Sequence, residues 1–208
     1  MHFTRASDPP QHDPDKPYWD HLSILYGHLK PSEMRWGIAR HERRLGDSQR
    51  AVCFAEVPLP FVRRIADRRG SRYGIGFTQE FVRRHGAARV WYLDKDEPAV
   101  KAFQATLSDH LAHFDPADPF WELTPFVDRP GLYRREYRFE WEREWRLPGS
   151  GGLRFSVDDI AFLFIPEELH LAARGFFDSY EGTAPNPQCP FLDPHWDAAQ
   201  LAQALSGP

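Results

Sequence analysis

The segment FEWEREWRLPG, residues 139–149, alternates carboxylates with large apolar side chains and decides how this part of the chain is expected to fold. The alternating residues are Glu140, Trp141, Glu142, Glu144 and Trp145. Successive side chains of a β-strand point to opposite faces, and same-face neighbours lie roughly 6.5–7 Å apart. The pattern therefore predicts a strand over residues 136–147, with the tryptophans buried and Glu142 and Glu144 on the opposite face.

The glutamate face has two interpretations. It is either the solvated face of a half-buried strand, or a charge site that the packed tryptophans hold rigid. Arg146 follows on the same face and is expected either to keep a glutamate ionised or to contact phosphates. Two carboxylates this close disfavour simultaneous ionisation, which leaves one better suited to proton transfer.

The composition narrows the class of protein. The chain has 208 residues, a net charge of −4 and only two cysteines, Cys53 and Cys189. It has no apolar stretch near the roughly 20 residues of a membrane span and no signal-peptide pattern, so we expect a cytoplasmic protein without membrane contact. The net charge argues against a globally basic nucleic-acid binder. Arginines crowd residues 35–50 and 63–89, where they either form a solvated helix face or contact phosphates.

The periodicities predict a mixed α+β chain with most helices in the first half. Residues 1–180 are predicted to form one domain around a mixed central sheet, and residues 181–208 a proline-rich C-terminal arm. Thr78 is placed to cap a short helix, and Gly70 to end the one before it. Gly74 and Gly76 do not complete a dinucleotide fingerprint, so they are expected to allow a bend or close backbone packing.

Four segments occur in an order that resembles the abortive-infection AbiGi-like family of bacterial anti-phage proteins. They are HFTR at 2–5, VCFAEVPL at 52–59, YGIGFTQEFVRRHGAARVWYL at 73–93 and FEWEREWRL at 139–147. The resemblance covers about residues 1–165 and implies a role in phage defence or in a toxin–antitoxin pair. It also implies a partner protein encoded in the same defence operon.

The chain resembles ADP-ribosyltransferases more distantly, and this resemblance implies an ADP-ribosyltransferase-like fold with NAD as substrate. In those enzymes an early strand carries a histidine that holds NAD, and a late strand carries the catalytic glutamate. The resemblance implies that Glu144 is catalytic with support from Glu142. It implies that the NAD-binding residues are His2, Thr4, Phe54, Glu56, Tyr73 and Arg146.

Three functions are then open. The first is a NAD-consuming enzyme, an ADP-ribosyltransferase or NAD glycohydrolase, with nucleic acid as a candidate acceptor. The second is a non-catalytic antitoxin or sensor that binds a partner protein or nucleic acid. The third is a nuclease in which Glu140, Glu142 and Glu144 hold a divalent metal ion. No His, Cys or Asp stands at a recognisable ligand spacing to support the third, so no metal site is expected.

Overall fold

The structure is a computed structural model. It describes residues 1–4, 16–94, 97–129, 131–133, 135–137, 140–179 and 187–206. Asp96, expected to cap the longest helix, and the prolines at 9, 10, 14 and 185 lie outside these residues. None of the helices in the described ranges is long and apolar enough to cross a membrane.

The described chain contains both helices and strands, which confirms the predicted α+β class. The α-helices are α1 (Lys16–Leu25), α2 (Val62–Arg69), α3 (Gln79–Arg84), α4 (Pro98–Ala112), α5 (Phe120–Leu123), α6 (His170–Ser179) and α7 (Ala198–Ser206).

The strands are short, mostly two or three residues each, and the longest have five. They are β1 (His2–Phe3), β2 (His28–Leu29), β3 (Ala51–Ala55), β4 (Gly74–Gly76), β5 (Ala88–Arg89), β6 (Trp91–Tyr92), β7 (Val127–Asp128), β8 (Gly131–Tyr133), β9 (Arg135–Tyr137), β10 (Glu144–Pro148), β11 (Leu153–Arg154), β12 (Phe162–Phe164) and β13 (Phe191–Leu192).

The chain divides into two compact units, where the sequence indicated one domain over residues 1–180. Each unit draws on separate stretches of the chain. The first unit comprises Met1–Leu29, Phe54–Val82 and Arg154–Pro208, and the second comprises Lys30–Cys53 and Arg83–Leu153.

The first unit is built on a four-stranded sheet in the order β1-β4-β12-β13. β4 runs antiparallel to both neighbours, and β13 runs parallel to β12. Gly76 faces the Phe162 ring so closely that a Cβ there would overlap it, so this glycine allows close packing against a side chain, where close backbone packing was expected. The arm predicted over residues 181–208 is not irregular where it is described. Phe191 and Leu192 are buried beside β12, so this segment completes the sheet before α7.

Local signals at the helix ends are confirmed. The Thr78 hydroxyl accepts a hydrogen bond from the Phe81 N–H at 3.1 Å, which caps the start of α3. Gly70 ends α2 in the left-handed conformation, with φ of 63°. A side chain with a Cβ is strained at that φ, so the sequence position of this glycine fixes where the helix stops.

The second unit holds a three-stranded sheet in the order β3-β10-β5. β6 pairs in parallel with β7, in the register Trp91 with Val127 and Tyr92 with Asp128. The apolar side of α4 packs against two small cores. One contains Leu93, Val100 and Val127, and the other contains Ala39, Leu45 and Trp121. These cores fix β6 and β7 next to the sheet that carries β10, and so position the residues described next.

Candidate functional site

The strand predicted over residues 136–147 is wrong as a continuous element. β9 ends at Tyr137, residues Glu140–Glu142 form a 3₁₀ turn, and β10 begins only at Glu144. Between the turn and β10, Arg143 has a φ of 45°, the left-handed region that L-residues rarely adopt. A residue in this conformation interrupts the alternation of an extended chain. Glu142 and Glu144 therefore do not form a same-face pair on one strand.

The burial of this segment contradicts the interpretation of the glutamate face as a solvated face. Trp145 is buried as predicted, Trp141 is half-buried, and Glu142 is buried with 2 % exposure. Arg146 is buried as well, so the charged side of β10 is not a solvated face. The strand is covered on both sides, and its charged side faces other charged groups inside the second unit.

Arg146 lies at the centre of a buried ion-pair network. Its Nε donates to Glu144 Oε1 at 2.9 Å, and its Nη2 donates to Asp128 Oδ2 at 3.0 Å. Its Nη1 donates to the Pro125 carbonyl at 2.7 Å, and its guanidinium lies over the Trp36 ring at 4.9 Å. Burial alone lowers the pKa of Arg146, but the charges of Glu144 and Asp128 outweigh it and raise that pKa.

A second arginine completes the charge balance of this network. Arg40 Nη1 lies 3.1 Å from Asp128 Oδ1, so two arginines face two carboxylates. Asp128 also accepts a hydrogen bond from the Arg129 N–H at 2.9 Å. Buried charges are tolerated when each is paired and hydrogen-bonded, and this network meets that condition.

Tyr92 lies on β6 and connects this strand to Glu144 of β10. Its hydroxyl donates a hydrogen bond to Glu144 Oε2, the oxygen that Arg146 Nη2 also contacts at 3.3 Å. Burial raises the pKa of the Tyr92 phenol, and the negative charge of Glu144 raises it further. The phenol therefore stays protonated and remains a donor at neutral pH. Glu144 is thus held in one orientation by two donors from two strands.

A surface pocket of about 240 Å³ opens beside Glu144. The residues that line it are Arg89, Val90, Trp91, Tyr92, Arg143 and Glu144. The Glu144 side chain retains 12 % exposure, whereas Arg146 behind it retains 1 %. The pocket therefore presents one oriented carboxylate together with two aromatic side chains and two arginines.

The residues that the resemblance assigns to NAD binding fall into two groups. His2, Thr4, Phe54, Glu56 and Tyr73 belong to the first unit, and Glu142, Glu144 and Arg146 belong to the second. His2 lies on β1, as predicted, opposite Ile75, and its ring meets Phe54 edge-on at 6.3 Å. Thr4 follows β1 directly and bonds Ser71 Oγ at 2.7 Å and the Tyr73 carbonyl at 3.2 Å. A cleft shared by the two groups stays a prediction.

Arg146 fulfils one of its two expected roles. It pairs with a glutamate, but with 1 % exposure it has little surface to offer a phosphate. The exposed arginines near Glu144 are instead Arg89 and Arg143, which line the pocket.

Sequence reasoning missed Tyr92 and Asp128. Both stand at the ends of short apolar segments, and their parallel pairing joins residues 36 positions apart. Such a pairing leaves no local signal in the sequence. The only available hint was a polar atom at the end of each apolar segment, the Tyr92 hydroxyl and the Asp128 carboxylate.

The three-carboxylate nuclease has no support in the described residues. No group of three or more His, Cys, Asp or Glu side chains there is placed to hold a metal ion. The 3₁₀ turn over Glu140–Glu142 also removes the strand alternation on which that interpretation depended. Comparison with known proteins adds no relative, because no family model, curated protein or solved structure matches the chain.

Proposed function

We propose that this protein is a NAD-consuming, ADP-ribosyltransferase-like enzyme that acts in defence against phage, with Glu144 as its catalytic carboxylate. The observation that carries the proposal is the pocket in which Glu144 stands beside Trp91, Tyr92, Arg89 and Arg143. The order of the sequence motifs supports the defence role, and the pocket supports the chemistry.

The pocket suits one end of NAD better than the whole molecule. Pockets that enclose drug-sized ligands have volumes of roughly 300–1,000 Å³, larger than the about 240 Å³ found beside Glu144. A nicotinamide with its ribose fits the smaller space, and the Tyr92 ring that lines the pocket offers an aromatic face for it.

Glu144 supplies the charge that this reaction requires. When the bond between the nicotinamide nitrogen and ribose C1′ breaks, the electron pair leaves with nicotinamide and positive charge develops at C1′. A fixed carboxylate beside that carbon stabilises the charge without having to reorganise. Water or another nucleophile then bonds to C1′, and its proton passes to the carboxylate or to solvent.

Arg146 and Tyr92 act as positioning residues for Glu144. Each donates a hydrogen bond to Glu144, and both hydrogen bonds can form while the carboxylate is ionised. Charge-assisted hydrogen bonds of this kind hold a side chain more firmly than neutral ones. The buried Asp128 balances Arg146, so the guanidinium does not cancel the charge of Glu144 on its own.

The test is release of free nicotinamide from NAD by the purified protein. Glu144→Gln keeps the shape of the side chain and removes its charge, and should reduce turnover by a factor of order 10²–10³. Glu122→Gln makes the same change at an exposed position of the second unit and should leave turnover unchanged. His2→Ala tests separately whether the first unit contributes to NAD binding, through a rise in KM.

A phage-protection assay decides between this proposal and the non-catalytic antitoxin or sensor. The enzyme requires Glu144→Gln to lose protection while it keeps the circular dichroism spectrum and melting temperature of the parent. If folded Glu144→Gln protects cells as well as the parent does, Glu144 is not catalytic and the binding role replaces the proposal.

A further inference from the structure

We propose that the surface formed by Arg89, Trp91 and Arg143 binds single-stranded nucleic acid, and that this strand is the acceptor of the ADP-ribosyl group. We call these three residues the Trp91 surface. The acceptor role rests on the proposed function, whereas the binding does not depend on NAD. Each of the three residues lines the pocket that contains Glu144.

Trp91 presents an aromatic ring to solvent at the mouth of the pocket. It retains 54 % exposure, while Leu93, two residues on, is fully buried. A large aromatic side chain left in water offers apolar surface that a stacked base can cover. Stacking of this kind is the common device by which proteins bind single strands without reading their sequence.

Two arginines lie near the buried Trp145 ring, and one of them, Arg89, also lines the pocket together with Trp91. The Arg89 guanidinium lies 5.4 Å from the centre of the Trp145 ring, and the Arg83 guanidinium lies 5.7 Å from the same centre. The exposed side chains of Arg83 and Arg89 are therefore both near the Trp145 ring, and the exposed Arg143 lines the pocket with Arg89. A guanidinium forms strong charge-assisted hydrogen bonds with phosphate, so the exposed Arg89 and Arg143 are suited to contact the backbone of a strand.

The distribution of charge over the chain favours the same surface. The second unit has 17 Lys and Arg against 15 Asp and Glu, whereas the first has 9 against 15. The net charge of −4 therefore hides a difference between the units. A polyanion is attracted to the second unit, which carries Glu144, and repelled by the first.

The shape of the surface favours a single strand over a duplex. A base can stack on Trp91 only when its own face is uncovered, which a paired helix does not allow. The pocket of about 240 Å³ is also too small to admit a double helix. An acidic peptide could pair with the arginines, but it would leave the exposed ring of Trp91 uncovered.

The transfer step balances without any further reactant. The bond between ribose C1′ and nicotinamide breaks, and nicotinamide leaves with the electron pair. A nitrogen or oxygen of the strand bonds to C1′, and the proton that this atom carried passes to Glu144 and then to solvent. Because the base stacks at the mouth of the pocket that Glu144 lines, the acceptor atom and the carboxylate belong to one site.

The first experiment measures binding in the absence of NAD. Fluorescence anisotropy is recorded for labelled 15-nucleotide strands of mixed sequence, as DNA and as RNA, and for the corresponding duplex. We expect both single strands to bind more tightly than the duplex, with a dissociation constant that rises with salt. Because both strands are expected to bind, the acceptor is identified by adding NAD and measuring which strand, DNA or RNA, gains the mass of ADP-ribose.

The variants distinguish base stacking on Trp91 from general attraction of the strand to positive charge. Trp91→Ala should weaken binding about tenfold, and Trp19→Ala, which removes a tryptophan of similar exposure from the first unit, should not. Arg89→Ala should weaken binding and lower the salt slope by about 0.7, the value for one lost contact with a single strand. Arg63→Ala in α2 is its exposed counterpart and should change neither quantity.

Failure of this inference can be told apart from failure of the proposed function. Nicotinamide release without strand binding overturns the inference and leaves the NAD enzyme standing. Strand binding that Trp91→Ala weakens, without nicotinamide release, supports the surface and overturns the enzyme. Equal binding of duplex and single strand, with no effect of Trp91→Ala, overturns the inference whatever the NAD assay shows.

Discussion

Arg146 Nε donates a hydrogen bond of 2.9 Å to Glu144 Oε1, two residues earlier on the same strand, and this pair is enclosed in the second unit. Side chains two residues apart share one face of a strand, so the relationship follows from the sequence alternation within β10. Asp128 and Tyr92 come from other strands and complete it. Two predictions below test this arrangement.

Arg146→Met should destabilise the protein by about 3–5 kcal/mol, because it leaves Glu144 and Asp128 buried without their shared partner. Urea unfolding followed by tryptophan fluorescence measures the change. Arg43→Met removes an exposed arginine of the same unit and should leave the unfolding midpoint unchanged. The double variant Arg146→Met with Glu144→Gln should recover part of the loss, since the charge at position 144 is then gone and Asp128 still pairs with Arg40.

Gly76→Ala should destabilise the protein by about 1–3 kcal/mol, because a Cβ at this position overlaps the Phe162 ring on the adjacent strand. Phe162 also packs edge-on against Phe164 at 5.1 Å, which limits how far its ring can turn away from a new Cβ. Thermal unfolding measures the effect. Gly151→Ala meets no atom within 4 Å and is the matched control. An unchanged melting temperature for Gly76→Ala would contradict the close packing of β4 against β12.

His21 should make the stability of the protein fall in mild acid. Its ring is buried, and neither ring nitrogen has a hydrogen-bond partner among the residues that the structure describes. Burial lowers the pKa of His21 from 6.5 to about 4. Between these values the unfolded chain takes up a proton and the folded chain does not, so stability is full above pH 6.5 and decreases as the pH falls. From pH 7.5 to pH 5 the loss is about 2 kcal/mol.

His21→Leu should remove that part of the pH dependence, because leucine cannot be protonated in either state. It should also raise stability at pH 7.5, since two buried nitrogens that find no hydrogen-bond partner in the described part of the chain are replaced by apolar atoms. The measurement is the urea midpoint across pH 5–7.5. His41→Leu changes an exposed histidine and should keep the slope of the parent. A parent slope in His21→Leu would show that other groups cause the acid sensitivity.

The sequence predicts the structural features that depend on residues close together in the chain. It does not predict the contacts between segments that are distant in the chain. Gly70 and Thr78 mark the ends of α2 and α3 because each acts on the backbone within a few residues. The alternation from Glu144 onward is correct for the same reason. The break before it is not visible, because nothing in the residue types around Arg143 requires a left-handed conformation. The network around Arg146 depends on pairings between distant strands, so no local pattern reveals it.

The last prediction concerns the strained backbone of Arg143, where a glycine is expected to raise stability and lower activity relative to an alanine. A non-glycine residue in the left-handed region costs about 1–2 kcal/mol, and such residues are found at functional sites where the surroundings hold them in place. Arg143 has a φ of 45° and immediately precedes Glu144, so its conformation sets the direction in which the carboxylate leaves the turn.

Arg143→Ala and Arg143→Gly both remove the guanidinium, and they differ only in the Cβ. The glycine variant should be more stable than the alanine variant by about 1 kcal/mol in urea unfolding, because glycine adopts this φ without strain. It should nevertheless release nicotinamide more slowly than the alanine variant, because the freer backbone holds Glu144 less firmly. Equal stability of the two variants would show that no strain is stored at Arg143, and equal turnover would show that its backbone does not position Glu144.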